Sequence, residues 1–413
     1  MTDEADEHLP DPNADAPLAA VVENPRAETA IESLRAEGVY DDSRKVREVR
    51  GEGDATRERD DLDRVALPIT EPPTETRVLE VVRQVDPEPR NPDLEDLLAD
   101  RGWSDDEIER APGSWAVIGS VVLVRVPEDC PDETDLGEAL LELQGGVDSV
   151  LADEGIANEG TAGVYREPRT RLLAGDADTE TIHTEHGTRY ALDPAAVMFS
   201  PGNQAERARM GEVVRAESRS TDRSSGSPRD GDAEHVFDMF AGIGYFTLPM
   251  ARAGARVTAT EINPTAFRYL LENAMLNDVG DRVDAYMTDC RDLAAELEVD
   301  RVVMGYYGTG NEGANGTTAA EDEADATDGA DGGQPTRDDG AHAYLEDALA
   351  ALAPGGVVHY HEATPEARLW ERPEARLERA GTEAGRAVEV LERRRVKSHS
   401  AGVEHVVVDA RFD

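Results

Sequence analysis

The sequence predicts an α/β fold whose C-terminal half is a mostly parallel sheet holding a nucleoside cofactor. Three observations predict it. The strand-like run Val236-Phe-Asp238 passes into a turn containing Gly242 and Gly244 and then into a helical pattern. Seven strand patterns, near residues 235–238, 255–260, 283–287, 300–304, 356–360, 386–396 and 403–411, mostly alternate with helical ones. Asp238, Glu261 and Asp289 stand at the ends of the first three strands, and sheets of this kind bind ligands beyond the carboxyl ends of their strands.

Each element has a local reason. Glycines after the first strand let a ligand approach the backbone, and an acid about 20 residues further on can hold ribose hydroxyls. Glu261 fits that place. Thr247 stands where a dinucleotide fingerprint would carry its third glycine, which argues against a nicotinamide enzyme. Asp289 can accept from an adenine amino group while a neighbouring backbone N–H donates to the ring. The run Asn263 to Met275 reads as a helix, with Asn263 as its cap and Pro264 in first position. Phe267, Leu270, Leu271, Ala274 and Met275 then share one apolar face. The short Ser398–Gly402 segment predicts an antiparallel hairpin between the last two strands.

Upstream, residues 1–14 read as a disordered acidic tail and 15–73 as a small domain. That domain has strands at Leu18–Val22 and Val65–Ile69, and a helix at Ala27–Glu37 ending on Gly38. Residues 74–195 read as a middle domain. Asn91 caps a helix there, Trp115–Val126 forms a strand pair or one long strand, and Thr134–Leu143 is helical. Val164–Leu173 and Thr179–Leu192 supply further strands. Residues 196–413 form the catalytic domain. Segments 217–234 and 311–340 are too polar to bury a core and read as solvated insertions.

Composition narrows the class. Of 413 residues, 89 are acidic and 42 basic, a net charge of -47. Lys45 and Lys397 are the two lysines. The ordered patterns exclude a wholly disordered acidic chain and point to a halophilic protein in a high-salt cytoplasm. At molar salt the Debye length is about 3 Å, so the acidity does not exclude a nucleic-acid partner. Cys130 and Cys290 lack zinc-site spacing. No apolar run approaches a membrane span, and the acidic N-terminus is no signal peptide. These features predict a cytoplasmic protein with no membrane or metal partner; they leave the oligomeric state open, a monomer being favoured. His359 and His361 lack a third metal ligand. Arg393-Arg-Arg395 with Lys397 is a basic patch, facing either phosphate or solvent.

Met198-Phe-Ser-Pro-Gly-Asn-Gln-Ala-Glu-Arg-Ala-Arg-Met210, Asp238-Met-Phe-Ala-Gly-Ile-Gly-Tyr-Phe246 and Glu261-Ile-Asn-Pro264 resemble the class I S-adenosylmethionine-dependent methyltransferases. The match is to the family of tRNA guanine-37 N1-methyltransferases and tRNA wybutosine-synthesizing protein 2 enzymes. It covers about residues 75–413. After the fourth strand, where the methyltransferase branch has a Pro-Pro turn, this chain reads Val302-Val-Met-Gly-Tyr-Tyr-Gly-Thr309. That turn, with His359-Tyr-His361 and Arg395 to Asp409, is similar to the wybutosine branch. The resemblance implies a seven-stranded Rossmann-like sheet with smaller N-terminal α+β domains, the middle one positioning RNA, and a haloarchaeal source.

It further implies S-adenosylmethionine as co-substrate. The 3-amino-3-carboxypropyl group would go to C7 of 4-demethylwyosine at position 37 of tRNA(Phe), in the anticodon region, releasing methylthioadenosine. By the same resemblance Ser200, Arg207, Asp238, Gly242, Gly244, Glu261, Asp289 and Cys290 bind the cofactor. Arg207 would grip the methionine carboxylate with both prongs, though a solvated helical arginine is the plainer alternative. Cys290 would act through its backbone. Tyr306 and Tyr307 would stack on the extruded base or pack in the core, and no general base is assigned. The rivals are guanine-37 N1-methylation and a non-catalytic RNA-binding protein on the same fold.

Overall fold

A computed structural model describes residues 15–49, 64–221, 233–306, 340–400 and 402–413. The chain divides after Leu97. In the first unit, strands β1 (Leu18–Glu23), β2 (Arg47–Glu48), β3 (Arg64–Ile69) and β4 (Glu80–Arg83) make an antiparallel sheet in the order β2-β3-β1-β4. Helix α1 (Ala27–Ala36) buries Ala30 and Leu34 against Ala20, Val22 and Leu67. The unit does not end at 73 as expected. β4 pairs with β1, and the buried Arg44 donates to Gln84 Oε1 at 2.6 Å and to the Ile69 carbonyl at 2.9 Å.

Helix α2 (Leu94–Asp100) spans the division. Asp93, not Asn91, caps it. Asp93 Oδ1 accepts from Asp96 N at 3.1 Å while Asp96 Oδ2 accepts from Asp93 N at 2.8 Å. A carboxylate holds an open helix end more firmly than the expected amide.

The second unit continues through α3 (Asp105–Ile108), β5 (Ala116–Ile118), β6 (Val121–Val124), α4 (Glu133–Gln144), β7 (Ser149–Ile156), α5 (Gly160–Val164) and β8 (Pro168–Gly175). Its first sheet runs β5-β6-β7-β8. Val164, expected to open a strand, ends α5 instead. Gly160 (φ 60°) and Arg166 (φ 53°) bracket one helical turn that redirects the chain into β8. Strands β9 (Thr181–Glu185) and β10 (Thr188–Leu192) form a hairpin. His186 and Gly187 both take positive φ, as a twist-matched two-residue turn requires.

That hairpin belongs to the catalytic body, so the core begins near 181 rather than 196. Tyr190 and Leu192 join its apolar core, and Asn273 clasps Ala191 through both N–H (2.6 Å) and C=O (3.0 Å). Helix α6 (Gln204–Thr221) runs into the segment expected to be an insertion from 217. Residues 222–232 of that segment, residues 311–339 of the second, the 1–14 tail and Tyr307 lie outside the described residues.

The remaining elements are β11 (His235–Asp238), α7 (Thr247–Ala253), β12 (Arg256–Thr260), α8 (Pro264–Leu276), β13 (Val283–Tyr286), α9 (Cys290–Ala294), β14 (Val299–Met304), α10 (Leu345–Ala351), β15 (Leu352–Pro365), α11 (Glu371–Glu383), β16 (Val388–Ser400) and β17 (Val403–Phe412). All seven expected strands join one sheet in the order β13-β12-β11-β14-β15-β17-β16. The first five are parallel, and β17 is antiparallel to both neighbours. This is the expected seven-stranded Rossmann-like sheet. Strand order reverses between β11 and β14, and ligands bind at such a switch point.

Alternate residues of β11 feed the two faces: Val236 enters one core cluster and Phe237 the other. Asn263 caps α8 through Thr265 N and Ala266 N, as expected. Its buried face is not the expected one. Ala266, Tyr269, Leu270, Asn273 and Ala274 turn inward, while Leu271 (45 %) and Met275 (73 %) are exposed. Asn273 is polar yet satisfied inside, since its amide also donates to the Ile243 carbonyl at 3.0 Å.

Candidate functional site

A cavity of about 350 Å³ opens above the carboxyl ends of β11, β12, β13 and β14. Of the expected residues, Ser200, Arg207, Gly242, Glu261, Asp289, Cys290 and Tyr306 line it. Asp238 and Gly244 do not; they shape the turn beneath. Gly242 (φ 55°) and Gly244 (φ 102°) are left-handed. A Cβ there would lie 2.8 Å from the Tyr245 ring and 2.8 Å from Leu248, respectively. Both conformation and space therefore demand glycine.

Glu261 fastens that turn to the next. Its Oε2 accepts from Gly242 N and its Oε1 from Asn263 N, each at 2.7 Å. Each carboxylate oxygen keeps further acceptor capacity, which suits a ribose diol. Burial raises its pKa. Asp289 caps α9 by accepting from Arg291 N at 3.0 Å, and it receives the Arg291 fork at 2.8 and 2.6 Å. The Arg291 side chain is the main cause of its lowered pKa. Cys290 is buried, which pushes its thiol well above the ordinary range. Its side chain is accordingly no nucleophile.

Asp238 is fully buried and accepts from Thr247 Oγ1 at 2.7 Å. Burial pushes its carboxyl up to about 6 from 3.8. A raised pKa means that the folded state holds the proton more tightly. The penalty is absent below pH 4, grows between pH 4 and 6 and is complete above pH 6, where it reaches about 3 kcal/mol. Asp238→Asn should therefore raise stability at pH 8 by up to that amount and change nothing at pH 4. Denaturant midpoints at the two pH values check this; an equal shift at both refutes it.

Arg207 departs from expectation. It is 2 % exposed and closes both prongs on Glu185, Nε to Oε2 and Nη2 to Oε1 at 2.7 Å each. Its remaining nitrogen, Nη1, donates to the Ser200 carbonyl at 3.0 Å. The guanidinium lies 4.9 Å from the Phe199 centroid and 5.6 Å from that of Tyr245. The fork expected to grip a ligand carboxylate thus builds the wall of the cavity instead. Ser200 Oγ accepts from Lys397 Nζ at 2.6 Å.

The basic patch is turned onto the chain's own groups. Arg393 forks onto Glu374, and Arg394 bridges Glu206 and Asp409. Arg395 sits 3.9 Å from Glu366. His359 sits inside this network: its Nε2 accepts from Arg301, and its Nδ1–H donates to Asp409 Oδ1 at 2.7 Å. His361 meets His405 at 3.1 Å. Both His359 and His361 therefore act in packing. Among the described residues no group of three or more His, Cys, Asp or Glu is placed to hold a metal ion. No described helix is long and apolar enough to cross a membrane.

An aromatic wall completes the site. Phe240 packs 5.1 Å from Tyr306, inclined at 31°, and 5.1 Å from Tyr344, edge on. Arg166 lies over Tyr306 at 5.2 Å and Arg291 over Tyr344 at 5.4 Å. Sequence reasoning missed Phe240, Tyr344, Arg166, Glu185 and Asn203. For Phe240 a signal existed: it sits inside the Asp-Met-Phe-Ala-Gly run. For Glu185, one acid among 89, there was none.

The strand order and the cavity over its switch point define a class I methyltransferase-type domain. Residues 181–318 match the TRM5/TYW2 methyltransferase domain and residues 94–179 the TYW2 N-terminal domain. The tRNA(Phe) (4-demethylwyosine(37)-C(7)) aminocarboxypropyltransferase of Pyrococcus horikoshii is 34 % identical over 306 residues, covering 74 % of this chain and 91 % of that protein. The Methanocaldococcus jannaschii protein of the same name is 35 % identical over 253 residues, 61 % and 82 % of the two chains. Among solved structures, Pyrococcus abyssi Trm5b superposes with a TM-score of 0.61 at 28 % identity, covering 96 % of this chain and 99 % of that one. P. horikoshii TYW2 in complex with MeSAdo gives 0.57 at 31 %, covering 77 % and 97 %. The chain belongs to the TYW2 family.

Proposed function

We propose that this protein transfers the 3-amino-3-carboxypropyl group of S-adenosylmethionine to C7 of 4-demethylwyosine at position 37 of tRNA(Phe). Glu261 holds the ribose and Asp289 with the Cys290 backbone reads the adenine. Ser200 and Gly242 border the rest of the co-substrate, while Arg207, Asp238 and Gly244 keep the cavity in shape. Tyr306 stacks on the extruded base, and Tyr307 is a second candidate for that role. Segment 94–179 positions the RNA near the anticodon.

The reaction breaks the bond from sulfur to the γ-carbon, forms the bond from that carbon to C7, and leaves the electron pair on a neutral thioether, methylthioadenosine. The C7 proton is released. Which carbon reacts is a matter of placement, because the sulfonium activates all three.

The observation that carries this reading over methyl transfer is the turn after β14. A Cβ on Gly305 would lie 2.7 Å from the Phe246 ring. Any side chain at this position would require Phe246, which itself packs 5.3 Å from His361, to shift. Gly305 and Tyr306 both line the cavity here, where a glycine leaves room for the Phe246 ring.

The net charge of -47 supports a halophilic, cytoplasmic protein. The test is one incubation in molar KCl with S-adenosylmethionine and tRNA carrying 4-demethylwyosine. Methylthioadenosine and a base heavier by the aminocarboxypropyl group are expected, with the yield falling in dilute buffer. S-adenosylhomocysteine would establish the methyltransferase instead. Absence of both products, with no cofactor binding, would leave an RNA-binding protein.

A further inference from the structure

Of 42 basic residues other than histidine, 40 are arginine and two are lysine. Lys397 is thus one of only two lysines in the chain, and it is placed against the loop that borders the cavity. It comes from β16, at the far edge of the sheet from β13. Its stem runs along Gly202, where a Cβ would lie 3.1 Å from Lys397 Cδ, and its ammonium donates to Ser200 Oγ at 2.6 Å. A hydroxyl that accepts from an ammonium must turn its own proton elsewhere, and Ser200 borders the cavity. The pair therefore presents an O–H donor with a full positive charge behind it.

Three residues along the same loop, Asn203 also lines the cavity. Its side-chain oxygen is buried and has no hydrogen-bond partner. Such an acceptor is costly unless something donates to it. The loop thus offers a donor toward negative charge and, beside it, an acceptor toward positive charge. That is the pattern of an α-amino acid zwitterion.

Position agrees with pattern. Glu261 and Asp289 end β12 and β13 and so mark the nucleoside end. Ser200 and Asn203 precede α6, which packs on α7 and is tied to β16 through Glu206 and Arg394, at the other end.

We propose that Lys397, acting through the Ser200 hydroxyl, and Asn203, acting through its side-chain carbonyl, seat the carboxylate and ammonium groups of the cofactor's amino-acid arm. Lys397 and Asn203 are positioning residues, and this assignment rests on the cofactor reading above. A compact ammonium suits the task better than a guanidinium, whose planar fork would not fit behind one hydroxyl. Seating the arm at both charges fixes where its γ-carbon points, which decides the group transferred.

The test compares two ligands on the full-length protein by calorimetry in molar KCl. S-adenosylmethionine carries the arm; methylthioadenosine keeps the nucleoside and lacks it. K397M and N203A should each weaken S-adenosylmethionine about tenfold and leave methylthioadenosine unchanged. With decarboxylated S-adenosylmethionine, K397M should lose nothing and N203A should still lose affinity. K397R, which keeps the charge, guards against misfolding and should fall between K397M and wild type. Equal losses for both ligands, or no loss for either, overturn the proposal. Wild-type protein that binds neither ligand overturns the cofactor reading beneath it.

Discussion

Glu185→Ala should destabilise the second unit by about 3–5 kcal/mol, because it leaves the Arg207 charge buried without its counter-ion. The pair is nearly sealed: the side chains of Arg207 and Glu185 are 3 % and 4 % exposed. Burial opposes ionisation of Glu185, yet its hydrogen bonds with His183 and Arg207 outweigh that and hold its pKa below the usual range. A depressed carboxylate stabilises the fold above its unfolded pKa of about 4.3 and loses that contribution as pH falls. The loss in the alanine variant should therefore be largest at neutral pH and shrink toward pH 3. The double variant Glu185→Leu with Arg207→Met should recover most of the stability, since an apolar pair of similar volume has no charge to desolvate. Guanidinium unfolding in molar KCl reads both. A single-variant loss below about 1 kcal/mol would show that the pair is hydrated, and the account of the cavity wall would go with it.

The same pair marks the limit of what the sequence disclosed. Strands β11 to β15 and β17 were legible from their apolar runs, and β16, which carries the charged run Glu392-Arg-Arg-Arg395, from the short loop that joins it to β17. The acids Asp238, Glu261 and Asp289 were legible because strand ends are where this topology collects ligands. Partners across the fold were not. Glu185 precedes Arg207 by 22 residues, in a hairpin assigned to a different domain. Nothing local separates it from the other acids. The α8 face was misread because periodicity counts apolar side chains, and Asn273 is buried for the three hydrogen bonds its amide makes. Met275, which the period placed inside, is 73 % exposed. The aromatic wall was half legible. Tyr306 sits in the diagnostic turn, but Tyr344 enters from 38 residues downstream, and only the fold brings it next to Phe240. Lys397 was noticed as part of a basic run. In the fold it faces inward to Ser200, because side chains on a strand alternate between faces.

Glu261→Gln separates binding from folding at the cavity itself. In the ligand-free protein the half-buried carboxylate carries a desolvation penalty, which raises its pKa. Two backbone N–H groups, from Gly242 and Asn263, partly offset it. Glutamine keeps one acceptor oxygen and the same length but turns an NH₂ toward the other N–H. Relief of the charge and loss of one hydrogen bond act in opposite directions, so ligand-free stability should change by less than about 1 kcal/mol. Binding has no such compensation. A ribose diol donates to a carboxylate through two charge-assisted bonds, and glutamine can accept well on one side alone. S-adenosylmethionine affinity should fall by about 2–4 kcal/mol, roughly 30- to 1,000-fold, and methylthioadenosine should lose as much because it shares the ribose. The arm variants are expected to separate the two ligands where this one does not. Unchanged affinity in a folded Glu261→Gln protein would remove the ribose assignment, and with it the direction in which the cofactor lies across the sheet.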